Sequence, residues 1–102
     1  MCMDIVLAFL LSIHCAPTTV ITPSNATFFL NGVVYVRPDM MKPGVLVHEL
    51  YHACQYEKAG NRSANSWGEW QQREYDAKIA EILFNEKHDG DEIEVWYGVV
   101  SQ

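Results

Sequence analysis

The 102-residue sequence predicts one small α+β domain, in which a three-stranded antiparallel sheet packs on two long helices. Three observations support this prediction. Short β-branched and aromatic segments, separated by turn residues, occupy residues 18–37 and are typical of strands. Two longer segments, 43–58 and 66–86, repeat apolar residues at helical spacing. The chain length fits a single domain with a modest core.

Residues 1–16 are apolar and admit two interpretations. Residues 5–11 form a continuous apolar run, shorter than the ~20 residues of a transmembrane helix. The run resembles the apolar region of a secretory signal peptide, although Asp4 precedes it and no Lys or Arg does. The alternative is a buried helix. Membrane contact is expected only if this segment is an anchor. The apolar run slightly favours a location outside the cytoplasm. Residues 17–102 would then form the single domain.

The strands are predicted from β-branched runs and turn residues. The three predicted strands are residues 18–22, 26–30 and 33–37. Asn31-Gly32 is a strong hairpin signal, because a type I′ turn needs positive φ at both central residues. Together these segments predict an antiparallel meander. Residues 92–100 alternate at their start and predict a further, terminal strand.

The two helical patterns have recognisable ends. Gly60 follows the first pattern, where glycine commonly terminates a helix. Ser66 can cap the second, and Glu69 three residues later completes a capping-box pattern.

Composition and charge narrow the classes of partner. The net charge is −6 and only seven residues are Lys or Arg, so no basic cluster exists and a nucleic-acid partner is not expected. The three cysteines are Cys2, Cys15 and Cys54. Their odd number and lack of CxxC spacing predict neither a disulfide framework nor a thiolate metal site. Cys54 is expected to be a small buried residue.

His48-Glu49-x-x-His52 lies within the first predicted helix. Residues i and i+4 share one helix face, so both imidazoles can reach one metal ion. Glu49 is offset by ~100° from His48 around the helix. It is therefore placed to act as a general base on metal-bound water rather than as a ligand. Apolar neighbours predict a substantially buried helix, in which unpaired histidines would cost stability.

A third protein ligand is expected in such a site. The candidates after His52 are Glu57, Glu69, Glu74, Asp76, Glu81 and His88. The first two are disfavoured, because the side chain of Glu57 points ~140° away from His52 and Glu69 is explained by capping. Glu74 is favoured because it lies in the middle of the second helix on its apolar face. The last three candidates remain open, with Asp76 as the first alternative to Glu74.

A strand, an HExxH helix, a turn and a glutamate on the following helix together resemble the zincin metallopeptidases, specifically the gluzincin type. Residues 33–84, about half of the chain, carry this resemblance. Gln55, three residues after the second histidine, is similar to compact bacterial and phage-associated zincin domains. The resemblance implies a minimal zincin-like fold in which the second helix carries the third ligand. It also implies that the strand near residues 33–37 borders the substrate cleft.

The same resemblance implies one Zn²⁺ per chain, bound by His48, His52 and Glu74, with Glu49 as general base. Many gluzincins have Asn before the ligand glutamate and Asp four residues after it, but this chain has Arg73 and Lys78 there. The residue that orients His48 is therefore unassigned. Asp76 and Glu81 are the candidates for that position.

The expected activity is zinc-dependent hydrolysis of peptide bonds in a peptide or protein substrate, as an endopeptidase. Bound zinc would lower the pKa of water towards ~7, and Glu49 would accept the proton. Tyr51, Tyr75 and His88 are the candidates to support the oxyanion. One alternative is a zinc-stabilised domain of the same fold that binds or supports structure and cleaves nothing. A helical interaction module without metal is the other.

Overall fold

The computed structural model describes residues 3–40, 42–90 and 93–100, which fold as an α+β domain as predicted. In chain order the elements are α1 (Asp4–Ser12), β1 (Thr19–Pro23), β2 (Phe28–Leu30), β3 (Val33–Val36), a short 3-10 helix (Pro38–Met40), α2 (Pro43–Lys58), α3 (Trp67–Lys87) and β4 (Gly98–Val100). Among these described helices, none combines the length and apolar character needed to cross a lipid bilayer.

The described strands form one mixed sheet in the order β2-β3-β1-β4. β1 runs parallel to β3, whereas β2 pairs with β3 and β4 pairs with β1 in antiparallel fashion. The prediction of a three-stranded antiparallel meander is therefore wrong in strand number and in the partner of β1, which pairs in parallel with β3 and not with β2. The terminal strand is also shorter than predicted: residue 92 lies outside the described residues, and within 93–100 only β4 is a continuous strand.

The position of β3 between β1 and β2 explains this topology. β3 is the sequence VVYV, in which Val34 and Val36 are fully buried, so its position between two strands keeps an apolar segment away from water. Four residues separate the end of β1 from the start of β2 and carry the chain past the end of β3. In this connection Ser24 N donates to Val36 O over 2.7 Å.

The turn between β2 and β3 is as predicted. Asn31 has φ of 48° and Gly32 has φ of 87°, both in the left-handed region that a type I′ turn requires. A side chain at Gly32 would be strained by that backbone conformation. This local hairpin fixes β2 as an edge strand, because β3 has its other edge paired with β1.

One cluster of buried apolar side chains joins the sheet to all three helices. Its fully buried members include Val6 and Leu10 of α1, Val34 and Val36 of β3, and Leu46 and Leu50 of α2. Phe84 of α3 belongs to the same cluster and packs edge-to-face on Phe9, with 5.3 Å between the ring centroids. The apolar N-terminal segment thus shares a core with the rest of the chain, and α1 contributes buried side chains to it.

The two long helices agree closely with prediction. α2 begins at Pro43 and ends at Lys58, as its pattern indicated. The Ser66 side chain caps α3 by accepting from Glu69 N at 3.1 Å. The Glu69 carboxylate does not complete a capping box but binds Arg73 at 2.8 Å.

α3 packs antiparallel to α2, and small residues permit the close approach. A Cβ built on Gly44 would lie 2.2 Å from Asn85 Oδ1, so the start of α2 touches the end of α3. Ala53 of α2 and Ala77 and Ala80 of α3 are buried. The antiparallel register places His48 beside Glu81 and brings the second half of α2 to the first half of α3.

A disulfide joins Cys15 to Cys54, contrary to the sequence-based expectation. Both cysteines are buried, and the bond ties the segment after α1 to the core side of α2. The two residues are 39 positions apart, so no local spacing signalled the pair. Cys2 lies outside the described residues. In the chain-entropy model, closing a loop of this length stabilises the fold by roughly 4 kcal/mol.

We predict that breaking this disulfide destabilises the fold by ~2–5 kcal/mol. Cys54→Ala should lower the midpoint of urea unfolding under oxidising conditions, and reductant should lower the midpoint of the unchanged protein similarly. Cys2→Ala serves as the matched control and should leave both midpoints in place. Thiol titration of the unfolded protein should find one reactive thiol before reduction and three after it, given three cysteines and one bond. Equal midpoints with and without reductant would contradict the prediction.

Candidate metal centre

His48, Glu49 and His52 lie together on α2 with their potential ligand atoms all within 4.8 Å of one another. All three are half-buried, and the two imidazole rings are 4.9 Å apart between centroids. The one-turn spacing of the histidines on a regular helix produces this arrangement. Within the described part of the chain, this is the His/Glu group able to hold a metal ion.

Glu74 of α3 reaches both histidines across the helix–helix interface. Its Oε1 lies 2.9 Å from His52 Nε2, and its Oε2 lies 3.2 Å from His48 Nε2. Donor atoms around a tetrahedral ion are about 3.3 Å apart when each ligand bond is ~2.0–2.1 Å. The Glu74 carboxylate is therefore positioned close to where a third ligand of such an ion would lie.

Two carboxylates could complete a metal site with the two histidines. Proximity on α2 selects Glu49, whereas the hydrogen-bond distances to both Nε2 atoms select Glu74. An ion bound by both Nε2 atoms would lie next to the Glu74 carboxylate. Glu49 lies beside the same two imidazoles.

The other candidate ligands lie elsewhere. Glu57 accepts from the backbone N–H of Thr18, and Asp76 accepts from Gln72 at 3.1 Å. Glu69 pairs with Arg73, as described above. His88 packs its ring on Phe84, with 4.6 Å between the centroids.

Each histidine is held through its other ring nitrogen. Glu81 Oε1 lies 3.0 Å from His48 Nδ1, and the same carboxylate pairs with Lys78 at 3.3 Å. Glu81 is thus the orienting partner of His48, one of the two candidates named from the sequence. Gln55 Oε1 lies 2.8 Å from His52 Nδ1, a contact that sequence reasoning missed. The three-residue spacing on one helix face was the available signal.

The burial of these groups affects their protonation. Burial lowers the pKa of His52, against the opposing effects of Gln55 and Glu74, so this imidazole is favoured in its neutral form. With Nδ1 bonded to Gln55, the Nε2 of the neutral ring faces a Glu74 oxygen at 2.9 Å. At that distance the two atoms need a hydrogen or a cation between them, and a metal ion would be bound by both. The donor set therefore fits a metal ion.

Glu49 occupies a negatively charged and partly dry environment. Burial, together with the nearby carboxylates of Glu74 and Glu81, raises its pKa to about 7. Three carboxylates thus surround two imidazoles, and a divalent cation would offset their mutual repulsion.

A cleft of about 130 Å³ opens beside His52 and Glu74. Its lining includes His52, Glu74, Phe29, Leu30, Tyr56, Trp70 and Arg73. The strand that borders the cleft is β2 and not the strand near residues 33–37, because β3 lies inside the sheet and β2 is at its edge. Among the candidates for oxyanion support, Tyr51 packs against the core and Tyr75 is 64% exposed.

Comparison of the chain with protein families, with curated proteins and with solved structures finds no match.

We predict that His48→Ala and His52→Ala each abolish metal binding. Elemental analysis of the purified chain after dialysis should show about one divalent metal per chain in the unchanged protein and a near-complete loss in both variants. The melting temperature should also fall, because metal binding is coupled to folding. Asp76→Ala is the control and should keep its metal, since Asp76 bonds to Gln72. Full metal content in both histidine variants would overturn the assignment.

We also predict that Glu49 makes the metal-free fold less stable as pH rises. A raised carboxyl pKa means that the folded chain holds this proton more tightly than the unfolded chain does. The unfavourable contribution is therefore absent below about pH 4.5 and complete above about pH 7. Glu49→Gln removes it. With chelator present, the melting temperature of the variant should exceed that of the unchanged protein by several degrees at about pH 8, on a scale of ~4–8 °C per kcal/mol. The two should coincide at about pH 4, and coincidence at both pH values would refute the prediction.

Proposed function

We propose that the protein is a zinc-dependent metallopeptidase, a small zincin-like domain of the gluzincin type. In this proposal His48, His52 and Glu74 bind one Zn²⁺, and Glu49 is the general base. The observation that supports it most is that the Nε2 atoms of both histidines lie 2.9 and 3.2 Å from the Glu74 carboxylate. The Glu49 carboxylate is adjacent, on the same helix as the histidines.

The donor set favours zinc over other metals. Two imidazole nitrogens and one carboxylate are a common ligand set for catalytic zinc, and they leave one position for water or substrate. All-oxygen sites, by contrast, are preferred by Mg²⁺ and Ca²⁺. Partners at both Nδ1 atoms further support this proposal, because metal-binding histidines almost always donate their other ring N–H.

The proposed mechanism assigns proton transfer to Glu49. Bound zinc would supply Lewis acidity and lower the pKa of a bound water. The Glu49 carboxylate would accept a proton from that water and deliver it to the leaving amine nitrogen. Because Glu49 is half-buried beside the imidazoles, it is close to the reacting centre and partly shielded from bulk water.

The cleft supports a peptide or protein as substrate. Apolar walls from Phe29, Leu30 and Trp70 lie next to His52 and Glu74 and would contact apolar side chains. β2 is the edge strand on this side and leaves one row of backbone groups unpaired within the described sheet. Such an edge can pair with an extended peptide. The acidic balance of the chain, −6, does not favour nucleic acid.

The disulfide bears on localisation. Bonds of this kind persist in oxidising compartments and are rare in reducing cytosol. We therefore infer that the Cys15–Cys54 pair forms outside the cytosol, in agreement with the slight lean drawn from the apolar N-terminal segment.

The alternative function is a zinc-stabilised binding or structural domain that cleaves nothing. A metal ion would stabilise the described core as the disulfide does, and this structural role favours the alternative. The presence of a carboxylate at position 49, where burial and two other carboxylates disfavour its charge, argues for catalysis instead.

We predict that Glu49→Gln separates these functions. Glutamine keeps the size of the side chain but cannot accept a proton, so zinc content should be unchanged while peptide hydrolysis falls by at least ~10²-fold. A library of unstructured peptides is a suitable substrate, with product formation followed by mass spectrometry. Asp76→Asn is the matched control, as an acidic residue on the adjacent helix bonded to Gln72. No hydrolysis by the zinc-loaded unchanged protein would favour the binding domain, and loss of zinc in the variant would make Glu49 a ligand.

A further inference from the structure

We propose that Gln55 is the positioning residue of the metal centre. Its one amide group determines which ring nitrogen of His52 carries the hydrogen and where Glu74 lies. This inference rests on the proposed zinc site and goes beyond it. Gln55 is half-buried on α2, one turn beyond His52. Its Oε1 lies 2.8 Å from His52 Nδ1, and its Nε2 donates to Arg73 O over 2.9 Å.

The contact with α3 fixes which way the amide faces. The backbone oxygen of Arg73 can only accept a hydrogen bond, so the amide NH₂ of Gln55 must face it. The amide oxygen must then face His52 Nδ1, and because that oxygen can only accept, Nδ1 must carry a hydrogen. In a neutral imidazole the lone pair is then on Nε2. This is the nitrogen that faces Glu74.

The same contact places the third ligand. Arg73 directly precedes Glu74, so the bond from Gln55 holds the peptide carbonyl next to the ligand residue. Glu74 Oε1 in turn lies 2.9 Å from His52 Nε2. His52, Gln55, Arg73 and Glu74 therefore form a closed ring of contacts between α2 and α3. A displacement of this part of α3 would change both the amide contact and the ligand distance.

A neutral amide suits position 55 better than a carboxylate does. Glu49, Glu74 and Glu81 already place three acidic groups around the histidines. A glutamate at position 55 could still accept from Nδ1, but it would face the Arg73 carbonyl oxygen with a second acceptor and add charge. Gln55→Glu therefore tests the donor half of the amide, and Gln55→Leu removes both halves at similar size.

Zinc affinity and the tautomer of His52 test this role. Gln55→Leu and Gln55→Glu should each weaken zinc binding by ~10–100-fold in a competition titration with a chromophoric chelator. Gln72→Leu is the matched control and should keep the affinity of the unchanged protein, because Gln72 is an exposed α3 glutamine bonded to Asp76.

The tautomer measurement needs no enzymatic activity. Long-range ¹H–¹⁵N correlation of the imidazole in the zinc-loaded protein should place the ring hydrogen on Nδ1, where the Gln55 oxygen accepts it. Gln55→Leu should speed the exchange of that hydrogen with water. A purely structural contact between helices would change stability without this change in the ring.

The results separate this inference from the proposed function. Hydrogen on Nε2 in the unchanged zinc-loaded protein, or unaltered zinc affinity in both Gln55 variants, overturns the role of Gln55 even if peptides are cleaved. Weakened zinc binding with the expected tautomer supports it even if the zinc-loaded protein cleaves no peptide, and in that case only the peptidase proposal fails.

Discussion

The antiparallel packing of α3 on α2 is the constraint on which the candidate site depends. Three contacts keep the helices in register: Gly44 with Asn85, His48 with Glu81, and Gln55 with Arg73. A slip of one residue along α3 would rotate its side chains by ~100° and move Glu74 away from both imidazoles. Buried alanines and Gly44 permit the close approach, so the geometry of the site depends on residues that make no contact with a ligand.

One side of α2 packs in the apolar core and the other carries the candidate site. Leu46, Leu50 and Cys54 face the apolar core, where the disulfide to Cys15 fastens the helix. The polar side carries the histidines and Gln55 against α3. Because the core side is fixed by packing and by a covalent bond, the polar side can hold groups whose burial is unfavourable. The raised pKa of Glu49 and the lowered pKa of His52 are measures of that unfavourable environment.

Charge balance connects this environment to the proposed chemistry. Glu49, Glu74 and Glu81 concentrate negative charge around two imidazoles, and one of these, His52, is favoured in its neutral form. Without a bound metal ion, Lys78 offsets part of this repulsion through its pair with Glu81. A bound divalent ion would therefore contribute to stability as well as to catalysis, which is the coupling expected for a small domain with a modest core.

Helical spacing and turn chemistry act over a few residues. The α+β class, the bounds of α2, the Asn31-Gly32 turn and the grouping of His48, Glu49 and His52 were therefore predictable from local sequence. It favoured Glu74 without excluding the alternatives. Tertiary structure alone decided the insertion of β3 between β1 and β2, the Cys15–Cys54 bond, and the partners of the histidines on α3. These features join segments distant in the sequence, and their energies depend on how whole faces pack, which no local pattern records.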